Sequence, residues 1–289
     1  MRAMGGHAAK PGLEDFTGYM LRLAHLRAHQ VAAAAFPEGP HPREYAVLTA
    51  IAAAGPLSQQ RLAERLHVNR TLMVAVADTL ERRGLVERRR DPADRRSYAL
   101  HVTPTGHAEL DRLHGEIERV DRRTTERLTD GERARLNELL RKLVAVDLAF
   151  VPDPLADRTG FLLSRAHFSS RDRADELLRP YGIVVRHFGL LMLLAEHGPS
   201  SQQALARRLS VSPAMITQIV DDIETRGLVE RRPNPGDRRS YLVTLTPAGK
   251  RTLTAGRRVA KTVAAEIVAR VGEDGDRELR ALLRKLVGV

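Results

Sequence analysis

Apolar residues recur at helical spacing in two similar stretches of the chain. Within each stretch they stand at positions i, i+3, i+4 and i+7, which predicts a helix with one buried stripe. The positions are Met73, Val76, Ala77 and Leu80 in the first stretch, and Ile216, Ile219, Val220 and Ile223 in the second. Each helix is therefore predicted to bury one face and to expose the opposite face.

The residues beside each predicted helix indicate where it begins and ends. Asn69 and Ser212 precede the helices and can accept hydrogen bonds from free backbone N–H groups, and Pro213 suits the first helical position. Gly84 and Gly227 follow the helices, as residues that adopt a positive φ without strain. We therefore expect helices of about four turns in both stretches.

A shorter helix and a β-hairpin complete each stretch. Ser58 is placed to cap a helix that runs to about Leu66. The predicted hairpin strands are 85–89 and 97–103 in the first stretch, and 228–232 and 240–246 in the second. Their loops, DPADRR and NPGDRR, contain turn formers and paired arginines, which suit a phosphate backbone or a narrow minor groove. Together these elements predict a winged helix-turn-helix.

The chain contains two copies of one domain. Residues 57–106 and 200–249 correspond at an offset of 143, which holds from Arg43 and Arg186 to Leu143 and Leu286. A fixed period present only twice indicates a duplicated domain and not a solenoid. We predict a tail at 1–12, a first domain at 13–150, a linker at 151–158 and a second domain at 159–289.

Outside the winged helices the apolar spacing predicts helices that pack on one another. Their ranges are about 13–36, 43–54, 108–128 and 133–150 in the first copy, and 159–179 and 250–289 in the second. The first of these helices places Phe16, Tyr19, Met20, Leu23 and Leu26 near one face.

The motifs resemble those of the multiple-antibiotic-resistance regulator (MarR) family. The matching residues of the first copy are Leu62, Ala63, Leu66, Asp78, Leu80, Glu81, Arg83 to Arg88, Asp94 to Ser97, Thr103, Pro104 and Gly106. Members of that family are homodimers joined by their first and last helices, with one winged helix on each operator half-site. The resemblance implies a mostly α fold with small β-wings, in which two MarR-like repeats form an intramolecular pseudo-dimer. It also implies that a single chain binds double-stranded DNA as a monomer.

The residues expected to contact DNA fall into two groups in each copy. The first group is the exposed face of the longer helix, which a major groove would meet, together with the serine that starts the preceding helix. Its members are Ser58, Arg70, Thr71, Val74, Ala75 and Asp78 in the first copy, and Ser201, Pro213, Ala214, Thr217, Gln218 and Asp221 in the second.

The second group lies in the hairpin loops, where the roles follow from the resemblance. Arg96 and Arg239 are expected to enter the minor groove, with Asp94 and Asp237 orienting arginine side chains. Plain turn formation is the alternative role for both aspartates. Arg95 and Arg238 are expected to contact phosphate, which adds affinity without sequence choice.

The two recognition helices offer different side chains to the groove. Arg70 can pair with guanine, Gln218 with adenine, and Val74 or Ala75 can touch a thymine methyl group. We therefore predict an imperfect, asymmetric operator. The alternative is that Val74 and Ala75 belong to the core, or that the first copy no longer reads bases.

Charge and composition add less than the motifs. The formal net charge of +11 and the sequence pI of about 10.7 favour an anionic partner. However, only 5 of the 47 basic residues are lysine, and such arginine bias also arises from coding composition. The lack of cysteine excludes disulfides, thiolate metal sites and a thiol switch. With no signal peptide and no apolar run of about 20 residues, we expect a cytoplasmic protein without membrane contact.

The resemblance also implies a small aromatic or phenolic ligand between the end helices and the winged helix. The residues that map there are Tyr19, His25, Tyr45, Phe161, His167 and Phe188. A histidine on a partly apolar face is more often packed or capping, so that alternative stays open for the two histidines. His25 and His29 have the spacing of a metal pair, but no further ligand is evident, and we expect neither a metal nor a cofactor.

These features predict a sequence-specific DNA-binding transcriptional regulator, acting as a repressor that a small ligand releases. Activation is an alternative, because the outcome depends on where the operator lies relative to the promoter. A ligand-independent architectural DNA-binding protein is another. No glycine-rich phosphate loop, carboxylate cluster or nucleophile motif favours an enzyme.

Overall fold

The computed structural model describes residues 12–36, 42–66, 68–90, 98–145, 151 and 153–289, without the side chains at 153, 154 and 237–239. The helices are α1 (Thr17–Ala35), α2 (Pro42–Ala54), α3 (Gln59–Leu66), α4 (Arg70–Arg82), α5 (Pro104–Thr124), α6 (Asp130–Leu143), α7 (Asp153–Ala156), α8 (Thr159–Leu178), α9 (Val185–His197), α10 (Gln202–Leu209), α11 (Pro213–Thr225), α12 (Pro247–Val271) and α13 (Glu273–Val287). The strands are β1 (Leu57–Ser58), β2 (Val86–Arg90), β3 (Tyr98–Val102), β4 (Ser200–Ser201), β5 (Val229–Asn234) and β6 (Asp237–Leu245).

Each copy folds as a winged helix-turn-helix, as predicted. In the first copy α3 and α4 accompany an antiparallel sheet of order β1-β3-β2, and in the second copy α10 and α11 accompany a sheet of order β4-β6-β5. The hairpins have equivalent registers, with Val86 opposite Val102 and Val229 opposite Leu245. The fold is therefore mostly helical with small β-wings.

The predicted apolar stripes form the cores of the winged helices. All eight stripe side chains on α4 and α11 are buried. In the first copy they belong to a cluster that also includes Leu48 of α2 and Leu113 of α5. Each fully buried aliphatic side chain stabilises the fold by about 1.5–3 kcal/mol. The stripes therefore fix which face of each recognition helix remains in solvent.

The predicted caps are also present. Asn69 Oδ1 accepts a hydrogen bond from Leu72 N at 2.8 Å, and Ser212 Oγ accepts one from Met215 N at 3.2 Å. After the helices, Gly84 and Gly227 have φ angles of 68° and 69°. Both recognition helices thus begin and end for the same local reasons.

The sequence analysis missed the third strand of each sheet. Leu57 of β1 pairs with Leu100, and Ser200 of β4 pairs with Val243. Each of these strands has only two residues, which is too short for an alternating pattern to be recognised.

The helices after the hairpins begin earlier than predicted. At α5, Thr103 Oγ1 accepts from Gly106 N at 3.0 Å, and Pro104 occupies the first turn, where no N–H partner is needed. At α6, Thr129 and Glu132 form a reciprocal capping box. Residues 146–150, at the predicted end of the first domain, lie outside the described part of the chain.

The buried face of α1 differs from the predicted one. Met20 is buried, but the other four residues assigned to that face are only half-buried. The buried positions are Thr17, Met20, Leu21, Ala24, Ala28 and Ala32. The prediction was wrong because it weighted large apolar residues, whereas alanines four residues apart line this buried ridge.

The predicted linker is partly built into the first winged helix. Val151 and Leu155 are buried in its apolar cluster. Between them the chain forms the single helical turn of α7, since proline is tolerated in a first helical turn. The segment predicted as a linker thus includes a short helix.

The chain divides into two compact units, and each takes segments from both copies. The first-wing unit comprises Leu21–His167 and Arg270–Val289, and the second-wing unit comprises Met1–Met20 and Phe168–Ala269. The boundaries of 13–150 and 159–289 thus describe the repeat in the sequence, while the compact units combine pieces of both repeats.

Within the first-wing unit, the last helix of the second copy packs on the last helix of the first. Arg135 of α6 pairs with Glu278 of α13 at 2.8 Å, and Lys285 of α13 pairs with Glu132 of α6 at 2.7 Å. The opposite charges align two helices whose apolar faces are also buried. This is the contact expected if end helices join the two copies.

Both units also hold a first helix of one copy against the helix-turn-helix of the other. In the first-wing unit, Arg165 of α8 donates from Nη1 to the carbonyl oxygen of Leu66 at 2.9 Å. In the second-wing unit, the Tyr19 hydroxyl of α1 donates to the carbonyl oxygen of Arg208 at 3.5 Å. Each acceptor lies at the C-terminal end of the first helix of a helix-turn-helix, where carbonyl groups lack helical partners.

Two glycines in α5 give a matched test of close packing. A Cβ at Gly106 would collide with the carbonyl oxygen of Leu85 and lie 2.8 Å from Val102 Cγ1, whereas a Cβ at Gly115 would meet nothing within 4 Å. We expect Gly106→Ala to lower the free energy of unfolding by about 1–3 kcal/mol. We expect Gly115→Ala to raise it by about 0.5–1 kcal/mol, through helix propensity. Urea unfolding of the two variants checks both signs, and equal effects would contradict this packing.

Candidate nucleic-acid interface

Each recognition helix exposes the face opposite its buried stripe. Arg70, Thr71, Val74, Ala75 and Asp78 are all exposed on α4. Val74 has 39% of its surface exposed, so it does not belong to the core, and the interpretation of Val74 and Ala75 as core residues was wrong. A major groove could therefore reach all five side chains.

The second recognition helix exposes a chemically different face. Pro213, Ala214, Thr217 and Gln218 are exposed together with Asp221. The Thr217 hydroxyl lies 3.0 Å from the carbonyl oxygen of Pro213 and 3.3 Å from Gln202 Oε1, and can donate to either. The sequence analysis did not single out Met215, which is also exposed on this helix.

The two serines ahead of the recognition helices act as caps. Ser58 Oγ accepts from Arg61 N, and Ser201 Oγ accepts from Ala204 N, both at 3.3 Å. Each hydroxyl retains a proton that it can donate to an external acceptor such as a phosphate oxygen.

An arginine on each hairpin ties that hairpin to the recognition helix. These clusters are Arg88 with Asp78 and Glu81 in the first copy, and Arg231 with Asp221 and Glu224 in the second. Burial alone would lower the pKa of Arg231, but the two carboxylates together outweigh it and raise that pKa. The aspartates expected to meet the groove are therefore partners of the hairpin arginine, and the paired charges hold the hairpin at a fixed position beside the helix.

The wing residues lie outside what the structure describes in detail. Asp94, Arg95 and Arg96 are outside the described residues. Asp237, Arg238 and Arg239 begin β6, but their side chains are not described. The roles assigned to these six residues stay predictions.

Comparison with known proteins gives the family. The MarR family model matches residues 41–98 and 185–241, once in each copy. A protein of Thauera aromatica, named as a candidate transcriptional regulator for the hcr operon, is 39% identical over 130 residues, which are 43% of this chain and 78% of that protein. The chain belongs to the MarR family.

Another relative and a solved structure each match less than half of this chain. The transcriptional repressor NicR of Pseudomonas putida is 34% identical over 36% of this chain and 66% of NicR. The crystal structure of a probable transcriptional regulator from Pseudomonas aeruginosa is 31% identical, covers 46% of this chain and 98% of that chain, and has a TM-score of 0.44. The Thauera aromatica protein and NicR are named as regulators of transcription, so DNA binding and transcription regulation are the functions that membership in the MarR family supports.

The two MarR repeats differ in the contacts around the C-terminal end of the recognition helix. In the first repeat, Arg83 after α4 pairs with Glu44 of α2 at 2.6 Å. In the second repeat, a histidine stands at the corresponding place in α9, and His187 Nε2 lies 3.0 Å from Asp222 Oδ2 of α11. Only 2% of His187 is exposed. Burial, with help from the positive charge of Arg186, lowers the pKa of His187 to about 4, although Asp222 acts in the opposite direction.

The buried histidine predicts a loss of stability in acid. Because its pKa is lower in the folded state than the ordinary 6.5, the unfolded chain binds more protons between about pH 6.5 and pH 4. We expect the free energy of unfolding of the second-wing unit to fall by up to about 3 kcal/mol across that range. Urea unfolding at pH 7.0, 5.5 and 4.5 measures this change. His187→Gln should flatten the pH dependence and His197→Gln should not; an unchanged slope in His187→Gln would contradict this origin.

The residues expected to bind an effector are divided between the two units. In the first-wing unit, the rings of His25 and His167 stack with centroids 4.9 Å apart, and His25 Nδ1 lies 3.0 Å from Ser164 Oγ. Tyr45 is buried in the apolar cluster of the same unit, and Phe161 packs against that cluster. The alternative that the histidines are packed residues therefore has direct structural support.

The remaining two effector candidates belong to the second-wing unit. The hydroxyl of Tyr19 is engaged with the carbonyl oxygen of Arg208. Phe188 is buried, and its ring lies where a Cβ at Gly256 of α12 would stand. Both aromatic side chains thus serve packing within this unit.

The first-wing unit also contains a cavity of about 440 Å³. It is lined by charged side chains of α5 and α6 and by residues 157–159, and by none of the six effector candidates. At its edge, Asp121 accepts hydrogen bonds from Thr159 N and Gly160 N, both at 3.0 Å, while burial raises the pKa of this carboxyl. This polar lining does not match an aromatic ligand.

Within the described ranges, no single helix is long and apolar enough to cross a membrane. The helices Thr159–Tyr181 and Val185–His197 reach that length and composition only as a pair, and they are bent by 76° at the break between them.

Proposed function

We propose that this chain is a two-headed transcriptional regulator that binds one asymmetric operator as a single chain. The observation that carries the proposal is the presence of two exposed recognition faces with different side chains, one on α4 and one on α11. A homodimer presents the same face twice and selects a palindrome. Two unequal faces in one chain select two unequal half-sites.

The proposed base contacts follow from the exposed side chains. Arg70 reads guanine, while Thr71, Val74 and Ala75 accompany it with apolar or hydroxyl contacts. On the second helix Gln218 reads adenine, beside Thr217, Ala214 and Pro213. A well-formed bidentate pair discriminates against the wrong base by about 1–3 kcal/mol.

The proposed backbone contacts come from the wings. Arg96 and Arg239 enter the minor groove on either side, with Asp94 and Asp237 orienting them, and Arg95 and Arg238 neutralise phosphates. Ser58 and Ser201 add hydroxyl donors at the start of α3 and α10. These contacts supply affinity and register but little sequence choice.

The proposed monomeric mode rests on contacts between the copies inside one unit. Helices α6 and α13, which end the two copies, are joined by the pairs of Arg135 with Glu278 and of Lys285 with Glu132. In separate chains such helices associate only at sufficient protein concentration. A covalent link sets an effective concentration in the ~mM range, so the pair forms within one chain.

Repression is the mode that the family and the repressor NicR support, and we propose release by a small aromatic or phenolic ligand at the family's expected position. The proposed contacts are His25, Tyr45, Phe161 and His167 in the first-wing unit and, taken separately, Tyr19 and Phe188 in the second-wing unit. Since Tyr45 and Phe188 are buried, binding requires their displacement and thereby alters the winged helices. The test is whether salicylate abolishes binding to the operator. The first residues to substitute are the stacked histidines, His25 and His167.

Activation stays an alternative, decided by the operator's distance from the promoter. An architectural role is less well supported, because binding without sequence choice does not require different polar side chains on two exposed recognition faces. We propose that the protein acts in the cytoplasm and that it binds and does not catalyse.

The footprint on the DNA flanking the gene tests the proposal. We expect the parent to protect one site of two unequal half-sites at nanomolar concentration. Arg70→Ala and Gln218→Ala should each cost about 1–3 kcal/mol and relax base preference in only one half-site, because each helix reads one half. Arg96→Ala and Arg239→Ala should weaken binding to both specific and random DNA.

Arg119→Ala, on the exposed side of α5, is the matched control and should bind like the parent. If the parent protects no specific site, the regulator proposal fails. If only the second-copy substitutions matter, the first copy is a structural partner and the two-headed reading fails.

A further inference from the structure

Each hairpin carries an exposed tyrosine that the sequence analysis did not consider. Tyr98 begins β3 and has 53% of its surface exposed, and Tyr241 occupies the corresponding place in β6 with 57% exposed. Neither hydroxyl is hydrogen-bonded to another residue in the described part of the chain. An exposed tyrosine ring on both hairpins is typical of a surface that contacts a partner.

The strand register gives the direction of these rings. Arg90 lies opposite Tyr98 and Arg88 lies opposite Leu100, and residues directly opposite each other in an antiparallel pair point to the same face. Positions two apart on one strand also share a face. Tyr98, Leu100 and Arg88 therefore point to the same side of the hairpin.

That side is the one that faces the recognition helix. Arg88 contacts Asp78 and Glu81 of α4, and Leu100 is buried in the core. Tyr98 is two residues nearer the hairpin tip than Leu100, and at that position the rest of the domain no longer covers the side chain. The phenol thus lies on the same side of the hairpin as α4, nearer the hairpin tip than Leu100.

The second copy has the same arrangement. Tyr241 lies opposite Pro233, and Val243 lies opposite Arg231, which contacts Asp221 of α11. Although the two recognition helices expose different side chains, both hairpins place a tyrosine at this position. Side chains that differ between copies suit base reading, whereas one that is the same in both suits a feature common to all DNA.

We propose that Tyr98 and Tyr241 are phosphate-contacting residues, whose hydroxyls donate to the DNA backbone where it passes between the recognition helix and the wing. When a helix lies in the major groove and a wing reaches the adjacent minor groove, the strand between the two grooves crosses this position. The ring covers the sugar edge and the hydroxyl binds a phosphate oxygen. The inference rests on the proposed function, because it needs duplex DNA on α4 and α11.

A neutral phenol leaves a different signature from an arginine. It neutralises no phosphate and releases no counterion, so the slope of log K against log salt stays that of the parent. Removal of an arginine that contacts phosphate reduces the slope by about 0.9. The experiment is fluorescence anisotropy of the full chain at several salt concentrations, with a random-sequence duplex and the footprinted duplex of the same length.

Tyr98→Phe and Tyr241→Phe should each weaken binding about 3- to 10-fold on both duplexes, with the slope unchanged. Tyr181→Phe is the matched control, since Tyr181 is also exposed but follows α8 and belongs to no hairpin. It should bind like the parent. The hairpin variants keep the ring, so folding is preserved, and circular dichroism verifies this.

Parent-like affinity of both hairpin variants overturns the inference and leaves the regulator proposal standing. Weakening on the footprinted duplex alone also overturns it, because that result indicates base reading. If the parent itself binds neither duplex, the proposed function fails, and the same titration reveals this.

Discussion

The buried stripe along each recognition helix is the constraint on which the interface depends. Four apolar side chains at helical spacing must leave water, and doing so fixes the rotation of the helix about its own axis. The opposite face is then exposed whatever residues it carries. Those residues can therefore differ between the copies. The first copy exposes Arg70 and Val74, whereas the second exposes Thr217 and Gln218. The residues that stabilise each helix and the residues proposed to read DNA thus lie on separate faces.

The hairpin is held to that helix by charge and not by apolar packing alone. Arg88 and Arg231 each pair with two carboxylates on the neighbouring recognition helix, and only 27% and 24% of the arginine side chains are exposed. The paired charges therefore tie each hairpin to its recognition helix.

Because the domain is duplicated, end helices of both copies belong to one chain. Each compact unit takes pieces of both copies, and α6 meets α13 inside the first-wing unit. The contacts of Arg165 with Leu66 and of Tyr19 with Arg208 bring a first helix of one copy to the helix-turn-helix of the other. Contacts between residues of the two copies thus occur inside each compact unit.

The sequence allowed the winged helices to be predicted in detail, because the stripe, the caps at Asn69 and Ser212 and the glycine stops are local signals. Strands β1 and β4 could not be predicted, because two residues are too few to show an alternating pattern. The sequence analysis misjudged α1 because Leu21 and three alanines, not the larger residues, meet the neighbouring elements.

The candidate site was predictable to a similar extent. Exposure of the recognition faces follows directly from the stripe. The pairing of Asp78 with Arg88 and the exposure of Tyr98 do not, because they depend on the strand register. The stacking of His25 on His167 could be seen only in the structure, because these two histidines lie 142 residues apart in the sequence.

The number of chains on one operator tests the central claim most directly. The mass of the complex with a single footprinted duplex, measured by light scattering or sedimentation, gives this number without assumptions about affinity. The account predicts one chain per duplex, with both half-sites protected. Two chains per duplex, each protecting one half-site, would contradict it.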